Sequence, residues 1–328
     1  MQTAYIYSAS RANALAQSLL TKTDIERLLV AAPGMDLHEA LKETYLAPYI
    51  THVPDGSVPL AIEQTLIDAK KLIHRMAPHG DMFRVLWVQY DVHNLRAFAK
   101  AAARKLDYDA LVSVVSRRGI YEPDYLYKHA VAGTLNELQP EWQAAYNEGV
   151  RLAEAGEIDR VDGVFDTLFF TMATRIAKKA KDTFITTYLK AIIDLYNIKG
   201  RLRSLTHPTV FPAPAFVAGG TVKQASLETM EQVLAALATL GGAAHWADAV
   251  TYVSETGNTT RIDARVDEYL TIIAKAASMD MFSSASLVLY YLKCRESAAN
   301  IRTIVVGKNS GMSEADIRAN LRLAYVNP

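Results

Sequence analysis

Asp159, Asp162 and Asp166 share one helix face at i, i+3 and i+7, a spacing with which an all-helical enzyme can hold Mg²⁺. No second carboxylate cluster of that type completes such a site, and acidic residues at a helix start also suit its positive end. The eight histidines show neither H-E-x-x-H nor a Cys/His metal spacing. Gly307-Lys308-Asn309-Ser310-Gly311 loosely matches a phosphate loop, but a Walker loop needs a glycine six residues before its lysine, and here that residue is Arg302. Neither G-x-G-x-x-G nor G-x-S-x-G occurs. The expectation is a chain with no catalytic residue, no cofactor and no bound metal.

What recurs is a helical phrase. It reads Asp91-Val92-His93-Asn94-Leu95-Arg96, then Asp194-Leu195-Tyr196-Asn197-Ile198-Lys199, then Ser297-Ala298-Ala299-Asn300-Ile301-Arg302. The asparagines stand 103 residues apart in both intervals, and a fixed period resets the fold question. On a helix, Asp91, Asn94, Leu95 and Phe98 lie on one face, as do Asp194, Asn197, Ile198 and Arg201. An asparagine among apolar neighbours is costly unless hydrogen-bonded. Two readings stand side by side. In one, Asp91, Asn94, Asp194, Asn197 and Asn300 are polar clamps that fix the packing of each repeat. In the other, these residues or the adjacent Arg96, Lys199 and Arg302 face a shared cavity and grip a partner.

The triplet Asn-[Leu/Ile]-[Lys/Arg] alone is weak, since it recurs off the spacing at Asn320-Leu321-Arg322. A second marker supports it. Asp-x-Phe occurs at Asp81, Asp182 and Asp280, each time upstream of one evenly spaced asparagine. Apolar helical stretches at 66–75, 168–181 and 269–277 precede it, so each repeat reads as helix, tight turn, helix. Asp81, Asp182 and Asp280 are N-cap candidates, because a carboxylate accepts from the free N–H groups of a first turn. Between these hairpins, helices are expected to open at Thr23-Asp24-Ile25-Glu26 (through Val30), at Pro123-Asp124 (through Leu135) and at Ser226-Leu227-Glu228 (through Leu240). A shortened relative opens at Ser313-Glu314. This last copy can lie beside the N-terminal segment and close the set into a ring. The expected architecture is all-α, with helical modules at 1–122, 123–225 and 226–328 in a pseudo-threefold arrangement and no extended sheet. Pro208, Pro212 and Pro214 mark the largest irregular segment, 207–220.

Hydrophobic residues make up 50% of the 328, ample for packed cores. Lys+Arg 35 cancels Asp+Glu 35, which argues against a general nucleic-acid binder, since phosphate contacts need clustered positive charge. The single Cys294 cannot make an internal disulfide, and no secretory signal is evident, so a cytosolic home is expected. The uncharged stretch 233–246 holds Gly241, Gly242 and His245 and is short of the roughly 20 apolar residues a span needs. A soluble protein, docking at most on something in a membrane, is the expectation.

The stretch from Lys293-Cys294-Arg295-Glu296 through Gly307-Lys308, followed by Gly311-Met312-Ser313-Glu314-Ala315-Asp316-Ile317-Arg318, closely resembles the end of the C subunit of prokaryotic V/A-type (vacuolar-type) ATPases, whose eukaryotic homologue is the V-ATPase d subunit. Segments 91–100 and 194–203 resemble that family's first two internal copies, and 5–46 is similar as well. One departure is Ser297 where the other copies have Asp, with Glu296 next door as a substitute. The resemblance implies a funnel of three helical modules that sits on the membrane rotor ring and receives the foot of the central stalk. It implies a non-catalytic rotor adaptor, one copy per hetero-oligomeric complex, peripheral on the cytoplasmic face, with no direct membrane span and no nucleic acid. Arg96, Lys199 and Arg302 are then candidates for lining the funnel. An all-helical scaffold of another complex and a Mg²⁺-dependent all-helical enzyme are the alternatives.

Overall fold

The computed structural model describes residues 5–208 and 213–322. Helix accounts for 74% of the described residues, and no strand occurs among them. Of the irregular stretch expected at 207–220, residues 209–212, Pro212 included, lie outside the described residues.

Two compact units divide the chain, 79–193 with 214–220 in one and the remainder in the other. In the smaller unit the long α6 (Arg84–Ala103) and α10 (Ile158–Ala180) pack together, and α7 (Pro123–Ala132), α8 (Leu135–Leu138) and α9 (Trp142–Glu154) complete it. Trp87, Phe98, Trp142 and Phe165 fill its core. The larger unit holds α1 (Ile6–Ala16), α2 (Lys22–Val30), α3 (Met35–Lys42), α4 (Ala47–Ile50), α5 (Val58–Met76), α12 (Met230–Thr239), α13 (Ala243–Thr256), α14 (Thr260–Ala277), α15 (Ala285–Asn309) and α16 (Glu314–Ala319). Its axis is α15, against which α1, α5 and α14 pack. α11 (Thr183–Thr206) gives residues to both units, through Ile193 to one and from Asp194 to the other.

Helix starts follow capping chemistry more closely than the apolar pattern. α2 is capped by Thr21, whose hydroxyl accepts from the Asp24 N–H while Asp24 reaches back to the Thr21 N–H. α12 starts in the same way at Thr229 with Gln232, so the start expected at Ser226 moves three residues on. The helix expected from Pro123 to Leu135 stops at Ala132, because Gly133 takes a left-handed conformation (φ 72°) and α8 starts afresh. Of the three Asp-x-Phe caps, Asp182 accepts from the Ile185 N–H at 2.8 Å, as expected of a cap. Asp81 lies inside a short 3₁₀ turn and pairs with Arg84 instead. Asp280 accepts from the Phe282 N–H, and the helix begins only at Ala285.

The C-terminal copy does lie beside the N-terminal segment. Arg318 on α16 donates to both carboxylate oxygens of Glu26 on α2, and the Lys308 ammonium donates to the Ala31 carbonyl at 2.6 Å. Segments far apart in sequence, with |i−j| of 292 for the first pair, are thus joined within one unit.

α9 approaches its neighbours closely because position 149 is glycine. A Cβ there would stand 2.7 Å from the Phe165 ring on α10 and 3.2 Å from Ala99 on α6. Gly149→Val should therefore destabilise the fold by about 1–3 kcal/mol, read as a lower denaturant midpoint. Val150→Ala, next door and not facing that contact, should cost less.

Candidate functional site

The repeated phrase is built into the structure as a clamp. On α6, Asp91 and Asn94 are fully buried. The Asp91 carboxylate accepts from the backbone N–H groups of Ile120 (2.7 Å) and Tyr121 (3.1 Å). The Asn94 amide donates to the Ser116 carbonyl and its oxygen accepts from the Ser116 N–H, both at 2.8 Å. Two side chains one turn apart thereby satisfy a connector that has no helix or sheet to pair with. Gly119 is required by this closeness, since a Cβ would fall on the Asp91 carboxylate.

On α11 the Asp194 carboxylate accepts from the Thr221 N–H (2.8 Å), the Thr221 hydroxyl (2.6 Å) and the Val222 N–H (2.9 Å). Asn197 is buried on the same face. On α15, Asn300 repeats the reciprocal pair with Arg322, donating to its carbonyl and accepting from its N–H, each at 2.7 Å. The sequence separation is 22 residues for Asn94 and again 22 for Asn300. Ser297 is buried at the position of the two aspartates. Glu296 does not substitute for them; it faces α14, where the Thr271 hydroxyl donates to it.

The cations of the phrase differ. Arg96 donates to Asp166 at 2.6 Å and lies 3.7 Å from Asp162, which also accepts from Lys100 at 2.7 Å. Two of the three carboxylates that suggested a Mg²⁺ site are therefore neutralised by their own chain, and Asp159 is exposed. Among the described residues no group of three or more His, Cys, Asp or Glu side chains is placed to hold a metal. Lys199 pairs with Asp263 on α14 at 2.8 Å. Arg302 is exposed, and among the described residues no carboxylate lies within ion-pair distance of it.

Sequence reasoning missed a buried acid and what surrounds it. Glu296 is 3% exposed, and one of its carboxylate oxygens has no hydrogen-bond partner. Burial pushes its pKa up to about 8, with the Thr271 hydroxyl opposing and the nearby Asp267 and Glu268 reinforcing the rise. The thiol of Cys294, two residues away, is raised to about 12 by burial and is inert as a nucleophile. A 470 Å³ cavity reaches this thiol and is lined by Tyr45, Tyr49, Asp68, Arg75 and Tyr290 among others.

The clamp and the acid each carry a measurable expectation. Asn94→Ala strands a buried N–H and a buried carbonyl of Ser116, a loss of about 2 kcal/mol or more. Gly119→Ala, which pushes the chain off Asp91, should also destabilise. Chemical denaturation of both variants checks this. Glu296 holds its proton in the folded protein up to about pH 8 but in the unfolded chain only to its ordinary value of 4.5. Its contribution to stability is therefore fully present below pH 4.5 and is lost as pH rises towards 8. Glu296→Gln, which mimics the protonated acid, should remove that slope. It should leave the variant more stable than wild type at pH 9 by an amount on the order of a few kcal/mol, with little difference at pH 4.

Comparison with known proteins adds the identity of the frame. The family model described as ATP synthase (C/AC39) subunit matches residues 9–320. The C subunit of the V-type sodium ATPase of Enterococcus hirae is 21% identical over 314 residues, covering 94% of each chain. The C subunit of the A-type ATP synthase of Thermococcus kodakarensis is 24% identical over 325 residues, covering 92% of this chain and 86% of its own. Its counterpart in Halobacterium salinarum is 22% identical over 253 residues, 71% of each. With the match running from within α1 through α16 and so through all three copies of the phrase, the chain belongs to the ATP synthase (C/AC39) subunit family.

Proposed function

We propose that the chain is the non-catalytic rotor adaptor of a V/A-type rotary ATPase. It couples the central stalk to the membrane rotor ring, as one copy in a hetero-oligomeric complex on the cytoplasmic face of the membrane. The observation that carries this reading is the family match through 9–320, which takes in all three phrases. The relatives are named as the C subunits of a V-type sodium ATPase and of A-type ATP synthases.

The physical chemistry of the fold suits the role. A part that transmits torque must not yield, and the clamps pin connector backbone by side-chain hydrogen bonds, charge-assisted at Asp91 and Asp194. The modules at 1–122, 123–225 and 226–328 would stand around a pseudo-threefold axis, as the repeated phrase and the junction of α2 with α16 suggest. Among the described residues no helix is long and apolar enough to cross a membrane, so contact with the ring would be made from outside the bilayer.

The test is reconstitution. The purified chain is mixed with the central-stalk proteins and the detergent-solubilised rotor ring of its own organism. A complex containing stalk, chain and ring is expected, and ATP-driven ion pumping should fall to near background when the chain is omitted. Binding to neither partner would leave the scaffold reading instead.

A further inference from the structure

We propose that the cavity among α1, α4, α5 and α15 is a binding site for a small aromatic carboxylate. Such a site stands apart from the adaptor role and holds whether or not the chain joins stalk to ring.

The space opens where α15 packs against α5. Ala69 on α5 and Cys294 on α15 are both small and buried, and both line it. Its volume of 470 Å³ lies within the range of small-molecule sites. Leu15, Leu19 and Leu72 line it together with Tyr45, Tyr49 and Tyr290, a wall that suits a flat ring able to stack or to pack edge-on. Thr65, Asp68, Ala69, Leu72 and Arg75 follow the helix period along α5, so the cavity extends along that helix as far as Arg75, which is exposed.

Most polar groups of the lining are already committed. The Thr65 hydroxyl donates to the Ile62 carbonyl at 2.7 Å and the Ser18 hydroxyl to the Leu15 carbonyl at 2.8 Å. The Tyr49 hydroxyl is hydrogen-bonded to Asp68, and that of Tyr290 to the Cys294 sulfur. Burial first, and these neighbours after it, hold both phenols above the usual tyrosine range, so neither carries charge at neutral pH. Asp68 also accepts from the Gln64 amide at 3.0 Å and lies 3.8 Å from Lys71. Arg75 is the exception: among the described residues no carboxylate lies within ion-pair distance of it. One uncommitted guanidinium calls for an anion, and its planar fork fits the two oxygens of a carboxylate. A monoanion suits the site better than a phosphate dianion, because Asp68 brings a negative charge to the same cavity.

The experiment titrates the full-length chain with 2-naphthoate and with its uncharged isostere 2-naphthamide in a calorimeter at pH 7. One equivalent of 2-naphthoate should bind, and the amide should bind about tenfold or more weakly. 2-Naphthyl phosphate should also bind more weakly than the carboxylate. Arg75→Gln should bring 2-naphthoate down to the affinity of the amide, and Arg75→Lys should retain most of it. Because Arg75 is exposed, both variants should melt as wild type does. Cys294, the single cysteine of the chain, reports the location: saturating 2-naphthoate should slow its labelling by uncharged methyl methanethiosulfonate several-fold. No binding, equal affinity for acid and amide, tighter binding of the phosphate, or wild-type affinity in Arg75→Gln would each overturn the proposal. So would binding that leaves the labelling of Cys294 unchanged. None of these results bears on stalk or ring binding, so the adaptor reading stands or falls separately.

Discussion

The rest of the structure depends on one kind of hydrogen bond, from a buried side chain of a long helix to the backbone of the connector that follows. Asp91 and Asn94 stand one turn apart and hold 116–121 by four bonds. The connector carries polar backbone that no helix or sheet satisfies, and leaving such groups buried and unpaired would cost about 1–3 kcal/mol each. Pinned at Tyr121, the chain enters α7 two residues later, at Pro123. Asp194 at 221–222 and Asn300 at 322 repeat the solution at the other two phrases.

The equal spacing of Asn94, Asn197 and Asn300 was legible because the side chains are the repeated part of the clamp. The partners of Asn94 and Asn300 were not, because those are backbone groups; Ser116 and Arg322 have nothing in common as side chains. The all-helical fold was legible in the apolar period, and helix stops and starts less so. Asp81, Asp182 and Asp280 look alike in sequence, yet only Asp182 acts as a first-turn cap. The other two lose that role to the length of the turn: α6 and α15 begin three and five residues after the aspartate. The acids at 162 and 166 looked like half of a metal site because the cations that meet them, Lys100 and Arg96, lie 62 and 70 residues away in sequence.

Identical sequence also meets unlike surroundings. Asp81-Met82-Phe83 and Asp280-Met281-Phe282 share the same three residue types. Met82 and Phe83 are 7% and 0% exposed in a turn that packs on α6 and α10, whereas Met281 and Phe282 are 48% and 45% exposed. A short motif sets a local turn, but what lies over that turn comes from elements far away in the chain.

That contrast bears on what a repeated protein can do. The clamps hold the repeats to a common frame, since a buried amide has few alternatives that satisfy the same two backbone groups. Exposed positions are under no such constraint, because a surface substitution changes stability little. The same register thus carries Lys100 against Asp162 in one copy and a bare Val306 in another. Copies that agree inside and differ outside give one chain several chemically distinct faces, which is what the adaptor proposed above would require.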